Sequence, residues 1–274
     1  MSAIPPMGRD GCKKNRKTSM KSLILAAGYA TRLYPLTRNF PKPLLPVAGV
    51  TILDRLLADF DGIAAIDQHI IVTNHTFYEQ FAAWKNDARY DREIILIDDG
   101  SVDNASRRGA VMDILHVIEQ LGLEENLLVV AGDNVIDFSF AGLIEFAAMK
   151  YSSCITCHYE PSLAALQKTG VVELDENRRV LAMHEKPQQP PSHWAVPPFY
   201  LYRAEDIPLL FQAASGGCGH DAPGNLAAWL CQRTTMYAWE LPGKRHDIGD
   251  LPSYERVNQL FSAARAEPPT PGSP

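Results

Sequence analysis

The 274-residue chain has few cysteines and no long apolar segment, and both shortages exclude classes of protein. Its cysteines are odd in number and scattered, which argues against a disulfide framework; they are Cys12, Cys154, Cys157, Cys218 and Cys231. No apolar run approaches the roughly 20 residues of a membrane-spanning helix. The N-terminal residues also lack the apolar core of a secretion signal. We therefore expect a cytoplasmic protein with reduced thiols and no membrane partner.

Lysine and arginine, 26 in all, are fewer than the 32 acidic residues, so the formal net charge is −6. A nucleic-acid-binding surface would need a basic face, so we expect no nucleic-acid partner. A nucleotide substrate stays compatible with this charge, since a local cluster of arginine and lysine suffices. The sequence has no internal repeat, and 46% of its residues are hydrophobic, which supports a sizeable core.

Cys154 and Cys157 have the C-x-x-C spacing of redox or zinc sites. They lie in an apolar run typical of a strand, and no second pair completes a zinc site. Residues three apart in a strand point to opposite faces. We interpret both as reduced structural cysteines.

Predicted strands alternate with predicted helices along the first half of the chain. The strands are at 21–27, 69–73, 93–97 and 127–131, and the helices at 51–60, 77–84 and 110–121. The less regular second half has strands at 153–159, 170–174, 180–184, 198–202 and 235–240 and helices at 205–211, 225–233 and 252–260. Such alternation indicates an α/β fold, a single Rossmann-like three-layer domain with a mainly parallel mixed sheet.

The predicted domain occupies residues 21–264. Residues 1–20 are expected to be a disordered lead-in, and residues 265–274, rich in proline, glycine and serine, a flexible tail. In open sheets of this kind, ligands bind at the carboxyl ends of the strands. The loops after residues 27 and 131 are therefore expected to share one crevice.

The first predicted strand ends in a loop of small residues, and two cations follow it. The loop residues are Ala26, Ala27 and Gly28, whose backbone N–H groups can face an anion. Arg32 and Lys42 bring a forked guanidinium and an ammonium to the same place. A triphosphate-handling site needs this combination, so all five residues are predicted to contact a nucleoside triphosphate.

Residues 22–47 resemble the signature of the sugar-nucleotide pyrophosphorylases, G-x-G-T-R-L-x-P-L-T followed by P-K-x-L-x-P-V. Ala30 stands where the family has its second glycine, so the loop must run with Ala30 at negative φ or accept strain. The resemblance covers about residues 21–260. It implies the nucleotide-diphospho-sugar transferase fold and a Mg²⁺-dependent reaction. In that reaction an NTP and a sugar 1-phosphate give an NDP-sugar and pyrophosphate.

Two aspartates are predicted to hold the metal. Asp133 follows an apolar strand, where a carboxylate is a natural Mg²⁺ ligand, and the segment is similar to the family's G-D-N strand end. Residues 245–250 resemble the family's W-x-D-T/I-G-T segment, which makes Asp247 the second ligand. Arg245 and Asp250 replace the family's tryptophan and final threonine. We interpret Asp250 as the cap of the helix predicted at 252–260.

The acceptor side carries the family pattern G-V-V-E…E-K-P, which begins at Gly170 and includes Glu185 and Lys186. The resemblance implies that Lys186 binds the acceptor phosphate, that Glu185 accepts from sugar hydroxyls and that Gly170 lets the backbone approach a sugar ring. Asp221 could bind acceptor hydroxyls or cap the helix predicted at 225–233.

Residues 98–110 replace the family's glutamine-bearing base-recognition loop. Gly109 still precedes a predicted helix, so its backbone donors are expected to persist as nucleotide contacts. Arg107 and Arg108 could reach a phosphate or be solvated. The base stays open among dTTP, UTP and CTP, and the oligomeric state, including a homo-oligomer, stays open as well.

Two alternatives remain. One is a cytidylyltransferase for a small phosphorylated alcohol or phosphonate such as phosphocholine, which would need an aromatic cage. Trp194, Tyr200 and Tyr202 could supply that cage. Side chains alternate along a strand, however, so Tyr200 and its neighbours should point to opposite faces, which leaves fewer rings for the cage. The other is a non-catalytic nucleotide-binding regulatory subunit. Retention of the predicted cations and both aspartates argues against the second alternative.

Overall fold

The computed structural model describes residues 19–266 of the chain. Cys12, residues 1–18 of the predicted lead-in and residues 267–274 of the predicted tail lie outside the described residues. The strands are β1 (Met20–Leu25), β2 (Pro46–Val47), β3 (Val50–Thr51), β4 (Ile66–Thr73), β5 (Glu93–Asp98), β6 (Asn126–Ala131), β7 (Asn134–Ile136), β8 (Ser153–Tyr159), β9 (Gly170–Leu174), β10 (Val180–Glu185), β11 (Trp194–Val196), β12 (Phe199–Tyr202), β13 (Met236–Glu240) and β14 (Arg245–Asp247). The α-helices are α1 (Ile52–Asp61), α2 (Tyr78–Asp87), α3 (Ala110–Leu121), α4 (Ala141–Lys150), α5 (Leu163–Leu166), α6 (Ile207–Ser215), α7 (Gly224–Leu230) and α8 (Leu251–Ala266).

One mixed sheet of 10 strands runs through the described residues in the order β10-β9-β11-β8-β12-β6-β1-β4-β5, and β13 pairs with β8. Strands β6, β1, β4 and β5 pair in parallel. Strands β10, β9, β11, β8 and β12 pair antiparallel, and β12 joins the two halves by pairing antiparallel with β6. The predicted α/β class with a mixed sheet is confirmed; the four adjacent parallel strands lie in the N-terminal half, and β13 adds one more parallel pairing, with β8.

Helices cover both faces of the sheet because successive strand residues point to opposite sides. In β1, Leu23 belongs to the core formed with α3, α6 and α7, whereas Ile24 belongs to the core formed with α1, α2 and α4. The same alternation separates Cys154 from Cys157 in β8, as the sequence predicts. Both are free thiols, and burial raises the pKa of each to about 12.

Several elements differ from the sequence prediction. Helix α4 and the short strands β7 and β14 are absent from it, since α4 has no side-chain cap and strands of three residues are too short for a periodic signal. Helix α6 begins after Asp206 and runs to Ser215, so it lies later than the predicted 205–211. None of the helices in residues 19–266 is both long and apolar enough to cross a membrane.

A third, smaller apolar cluster fastens helix α8 to the loops that follow β1. Its buried members are Leu33, Leu45, Val47, Ile52, Val135, Ile248 and Val257. Two hydrogen bonds reinforce it: the Tyr254 hydroxyl donates to the Pro46 carbonyl at 2.7 Å, and the Ala48 N–H donates to Asn258 Oδ1 at 2.7 Å. The segment that carries Arg32 and Lys42 is thus held by the last described helix.

Helix α8 begins with the cap that the sequence predicts. The Ser253 N–H donates to Asp250 Oδ1 at 2.9 Å, and the Asp250 N–H donates to Ser253 Oγ at 3.0 Å. These hydrogen bonds lower the pKa of Asp250, which is consistent with a carboxylate at a helix N-terminus. The interpretation of Asp250 as a helix cap is confirmed.

Candidate active site

A cleft of about 660 Å³ opens where β1 and β6 end, and strands of the second half form its far wall. Most predicted site residues line it: Ala26, Gly28, Arg32, Lys42, Asp133, Gly170, Glu185, Lys186 and Asp247. The residues predicted to contact the nucleotide and those predicted to contact the acceptor therefore face one space. Three predicted residues, Ala27, Gly109 and Asp221, are not part of this lining.

The loop after β1 contains a strained residue. Ala30 has φ 45° and ψ 44°, in the left-handed region that glycine occupies more readily. Its carbonyl accepts hydrogen bonds from the Leu33 N–H at 2.9 Å and from the Thr37 hydroxyl at 2.8 Å. Of the two conformations that the sequence allows, the loop takes the strained one, and these two local hydrogen bonds hold it. The short 3₁₀ turn Thr31–Leu33 that follows presents Arg32 to the cleft.

Lys42 and Asp133 form an ion pair at the base of the cleft. Lys42 Nζ lies 2.8 Å from Asp133 Oδ2, and the Lys42 side chain is only 5% exposed, compared with 45% for Asp133. Burial acts to raise the pKa of Asp133, but the Lys42 ammonium outweighs it and lowers that pKa. Asp133 therefore stays ionised near neutral pH, with part of its carboxylate open to a ligand.

The ribbon of β7 and β14 brings Asp247 beside Asp133. Asp247 is the register partner of Asn134, the residue after Asp133. A Cβ atom on Gly249 would lie 3.5 Å from Asp247 Oδ2 and 3.8 Å from Arg32 Nη1, so this carboxylate and guanidinium share one space. Two carboxylates that line one cleft suit Mg²⁺, which takes one or two carboxylates plus phosphate oxygens and water.

Glu185 and Lys186 occupy the acceptor side of the cleft, at the end of β10. Burial raises the pKa of Glu185, and the nearby Lys186 charge opposes that rise. Glu185 Oε2 lies where a Cβ atom on Gly224 would stand and 3.4 Å from where one on Gly170 would stand. Lys186 has φ 49° and a half-exposed ammonium 3.9 Å from Glu185 Oε1. The backbone of Lys186 is held because its N–H donates to Thr169 O at 3.1 Å.

The loop before α3 is fastened directly to the loop before α7. The Ala110 and Val111 N–H groups donate to the carbonyls of Asp221 at 3.1 Å and of His220 at 3.0 Å. The expectation that this helix start offers free backbone donors was wrong for these two groups, because backbone carbonyls already accept from them. Asp221 Oδ1 pairs with Arg107 Nη2 at 2.6 Å. Helix α7 has Pro223 at its N-cap, so of the two alternatives for Asp221 the structure contradicts the helix cap.

We expect Gly109→Ala to lower the free energy of unfolding by at least about 2 kcal/mol. Gly109 has φ +91°, and an added Cβ would lie 2.8 Å from the His220 carbonyl carbon, so the two fastened loops would have to separate. Gly122→Ala is the matched control, because Gly122 also has positive φ but a Cβ there meets nothing within 4 Å. Urea unfolding of both variants measures the difference. Equal losses of unfolding free energy in the two variants would show that the contact between the two loops contributes nothing to stability.

Sequence reasoning missed Arg245 and His158, which also line the cleft. Burial and the Arg245 charge lower the pKa of His158, so its imidazole is neutral near pH 7. Arg245 lies two residues before Asp247 on one strand, and that spacing puts both side chains on one face. The sequence contains this signal, but it can be used only once residues 245–247 are known to form a strand.

Comparisons with known proteins identify the family of this chain. A family model described as nucleotidyl transferase matches residues 21–263. Glucose-1-phosphate thymidylyltransferase from Neisseria meningitidis is 33% identical over 191 residues, which cover 67% of this chain and 61% of that protein. Glucose-1-phosphate adenylyltransferase from Desulfitobacterium hafniense is 23% identical over 255 residues, which cover 89% of this chain and 64% of that protein. The chain thus matches less than two thirds of the length of these relatives.

A solved structure gives the same fold. The crystal structure of a UDP-glucose pyrophosphorylase complexed with UDP-glucose matches with a TM-score of 0.74 at 21% identity, covering 90% of this chain and all of that one. A likeness at this identity establishes the architecture alone.

Proposed function

Because this chain belongs to the nucleotidyl transferase family, we propose that it is a Mg²⁺-dependent enzyme that joins an NTP to a sugar 1-phosphate, giving an NDP-sugar and pyrophosphate. The observation that carries this proposal is the meeting of two sets of groups in one cleft. Arg32, Lys42 and Asp133 line one side of the cleft, and Glu185 and Lys186 line the other. One side of the cleft thus offers groups that bind phosphates, and the other offers groups that bind hydroxyls and a phosphate. This arrangement suits the transfer of a nucleotide between two phosphorylated substrates.

The reaction exchanges one phosphorus–oxygen bond for another. An oxygen of the acceptor phosphate attacks the α-phosphorus, the bond from the α-phosphorus to the bridging oxygen breaks, and pyrophosphate leaves with that electron pair. The acceptor phosphate is already ionised, so no general base is needed. The protein has to align the two substrates and balance the charge that gathers on the phosphates.

Each polar group then has a defined task. Arg32 braces the β- and γ-phosphates with a planar fork of donors, and Lys42 supports the transferring region through its link to Asp133. Lys186 holds the acceptor phosphate, and Glu185 accepts from sugar hydroxyls. Asp133 and Asp247 would hold Mg²⁺, which when bound neutralises phosphate charge.

The contacts of the aromatic side chains favour a sugar over a choline-like acceptor. Of the three candidates for a cage, Tyr200 alone lines the cleft. Tyr202 is fully buried and stacks on Tyr200 at 6.1 Å, while Trp194 packs under the Arg178 guanidinium at 4.5 Å. A quaternary ammonium would need several rings around it. One buried tyrosine beside a carboxylate suits a hydroxylated ring better.

A pyrophosphate-release assay tests this proposal. Purified protein is incubated with Mg²⁺, each of ATP, CTP, dTTP and UTP, and either glucose 1-phosphate, other sugar 1-phosphates or phosphocholine. We expect turnover with at least one sugar 1-phosphate. Faster turnover of phosphocholine than of every sugar phosphate would favour the cytidylyltransferase alternative. No turnover with any pair would favour a regulatory subunit.

We expect Gly224→Ala to raise the KM for the acceptor about 10-fold, equivalent to about 1.4 kcal/mol, and to leave the KM for the NTP within twofold. The new methyl group would occupy the position of Glu185 Oε2 and push this carboxylate out of place. The helix itself tolerates alanine, so unfolding should change little. Gly62→Ala, at the end of α1 and outside the cleft, is the control. An unchanged acceptor KM in Gly224→Ala would remove Glu185 from the acceptor site.

A further inference from the structure

Arg245 stands on the same face of a two-stranded ribbon as Asp247. Side chains alternate along β14, so Arg245 and Asp247 point to one side of the ribbon. Asn134 is the register partner of Asp247 in β7, and it shares that face. Both Arg245 and Asp247 line the cleft. A guanidinium therefore lies beside the two carboxylates that the proposed function assigns to the metal.

A chain of hydrogen bonds fixes the position of this guanidinium. Lys42 Nζ donates to Asp133 Oδ2 at 2.8 Å, and Asn134 Nδ2 donates to Asp133 Oδ1 at 2.8 Å. Arg245 Nη1 in turn donates to Asn134 Oδ1 at 2.9 Å. Asn134 is only 1% exposed, so its amide is a rigid link between Asp133 and Arg245. The arginine is oriented by the same network that orients Asp133.

The rest of the guanidinium is available to a ligand. It carries five N–H donors, of which the bond to Asn134 uses one. Within residues 19–266, no carboxylate forms an ion pair with Arg245, and none of its nitrogens is buried without a partner. Lys42 differs in this respect, because its buried ammonium is already paired with Asp133.

We propose that Arg245 is a further catalytic residue, which donates hydrogen bonds to non-bridging oxygens of the two phosphate groups that react. The inference rests on the proposed nucleotidyl transfer. In that step two negatively charged phosphates must approach each other while the new bond from the acceptor oxygen to the α-phosphorus forms and pyrophosphate departs. A fixed guanidinium offsets that repulsion, and its planar fork matches phosphate oxygens.

The substitution at this position supports a role in charge balance. The family segment that residues 245–250 resemble has a tryptophan where this chain has Arg245. An indole supplies one neutral N–H donor, whereas arginine supplies a permanent charge and several donors. Arg245 therefore places a cation in the cleft that Asp133, His158 and Tyr200 also line.

The first test compares three variants in the pyrophosphate-release assay. We expect Arg245→Gln to lower kcat about 10²-fold with less than threefold change in the KM for the NTP. Arg245→Lys should lower kcat about 10-fold, since lysine keeps the positive charge but lacks the planar, forked donors of the guanidinium. Lys244→Gln is the matched control, because it removes an exposed cation from the adjacent position outside the cleft. A kcat for Arg245→Gln within threefold of the wild-type value would overturn the proposal.

The second test separates contact with phosphate from a structural role through Asn134. We expect added guanidinium to restore part of the activity of Arg245→Ala and none of that of Lys42→Ala. An NTP that carries sulfur in place of one non-bridging α-phosphate oxygen exists as two diastereomers. For one of them, we expect the sulfur to reduce the rate of the wild-type enzyme by a larger factor than the rate of Arg245→Gln. If Arg245→Gln is slow, but guanidinium does not restore Arg245→Ala and the sulfur substitution slows Arg245→Gln as much as the wild type, the proposal is wrong and Arg245 acts only on the geometry of Asp133.

Failure of the proposed function would be visible separately. A wild-type protein that turns over no pair of NTP and sugar phosphate contradicts nucleotidyl transfer, and this inference falls with it. An active wild-type enzyme whose Arg245→Gln variant is equally active contradicts the role of Arg245 alone.

Discussion

Turnover falls by at least about 10²-fold when Asp247 is replaced by asparagine, equivalent to about 2.7 kcal/mol of activation free energy. Asp247 is exposed in the cleft and makes no side-chain hydrogen bond or ion pair within residues 19–266. Its removal therefore breaks no contact that stabilises the fold. The loss of rate would report the loss of a carboxylate that holds the metal. Steady-state rates at saturating substrates, with thermal unfolding of the same samples, measure both effects.

Asp133→Asn should lower turnover by at least as large a factor and should also destabilise the protein. The buried Lys42 ammonium would lose its counter-charge, which costs about 1–3 kcal/mol. Asp87→Asn serves as control, since Asp87 is exposed at the end of α2 and outside the cleft. Excess EDTA should abolish the wild-type activity, and added Mg²⁺ should restore it. Full activity in chelator, or in Asp247→Asn, would contradict the metal assignment.

Lys186→Gln lowers kcat/KM for the sugar phosphate by about 10²-fold, while the Kd for the NTP changes less than threefold. The Lys186 ammonium is half-exposed and 3.9 Å from Glu185, so it is only loosely paired and remains free for a phosphate. A charge-assisted hydrogen bond to an anion contributes about 1.5–3 kcal/mol, which matches the expected loss.

Calorimetry with each substrate separates the two sites. The exposed Lys85 near the end of α2 supplies the control Lys85→Gln. An equal loss of NTP and acceptor binding in Lys186→Gln would show that Lys186 serves both substrates.

The core strands and the two cations Arg32 and Lys42 could be predicted because their sequence signals are local. Strand β6 is an apolar run that stops at a glycine and an acid, and Arg32 and Lys42 follow the first strand closely. The rule that ligands bind at the carboxyl ends of strands was enough to put these residues in one crevice. The opposite orientations of Cys154 and Cys157 follow in the same way from the period of a strand.

The remaining features depend on contacts between distant segments. The pairing of β7 with β14 joins residues about 110 positions apart, and each strand has three residues, too few for a periodic signal. The occupied donors at the start of α3 depend on where the His220 loop lies, which no local pattern specifies. Arg245 is visible in the sequence as a departure from the family motif, but its place near Asp133 follows only from the pairing of β7 with β14.

The attachment of α8 to the loop after β1 affects how the protein matures during synthesis. Ala48 and Asn258, which this attachment joins, are 210 residues apart. At about 5–20 residues per second, a ribosome needs about 10–40 s to make that interval. The Arg32 and Lys42 loop therefore leaves the ribosome long before its support exists. A nascent chain that stops before helix α8 would contain the loop sequence but lack the partner that fixes it, so nucleotide binding should arise only after α8 has been synthesised.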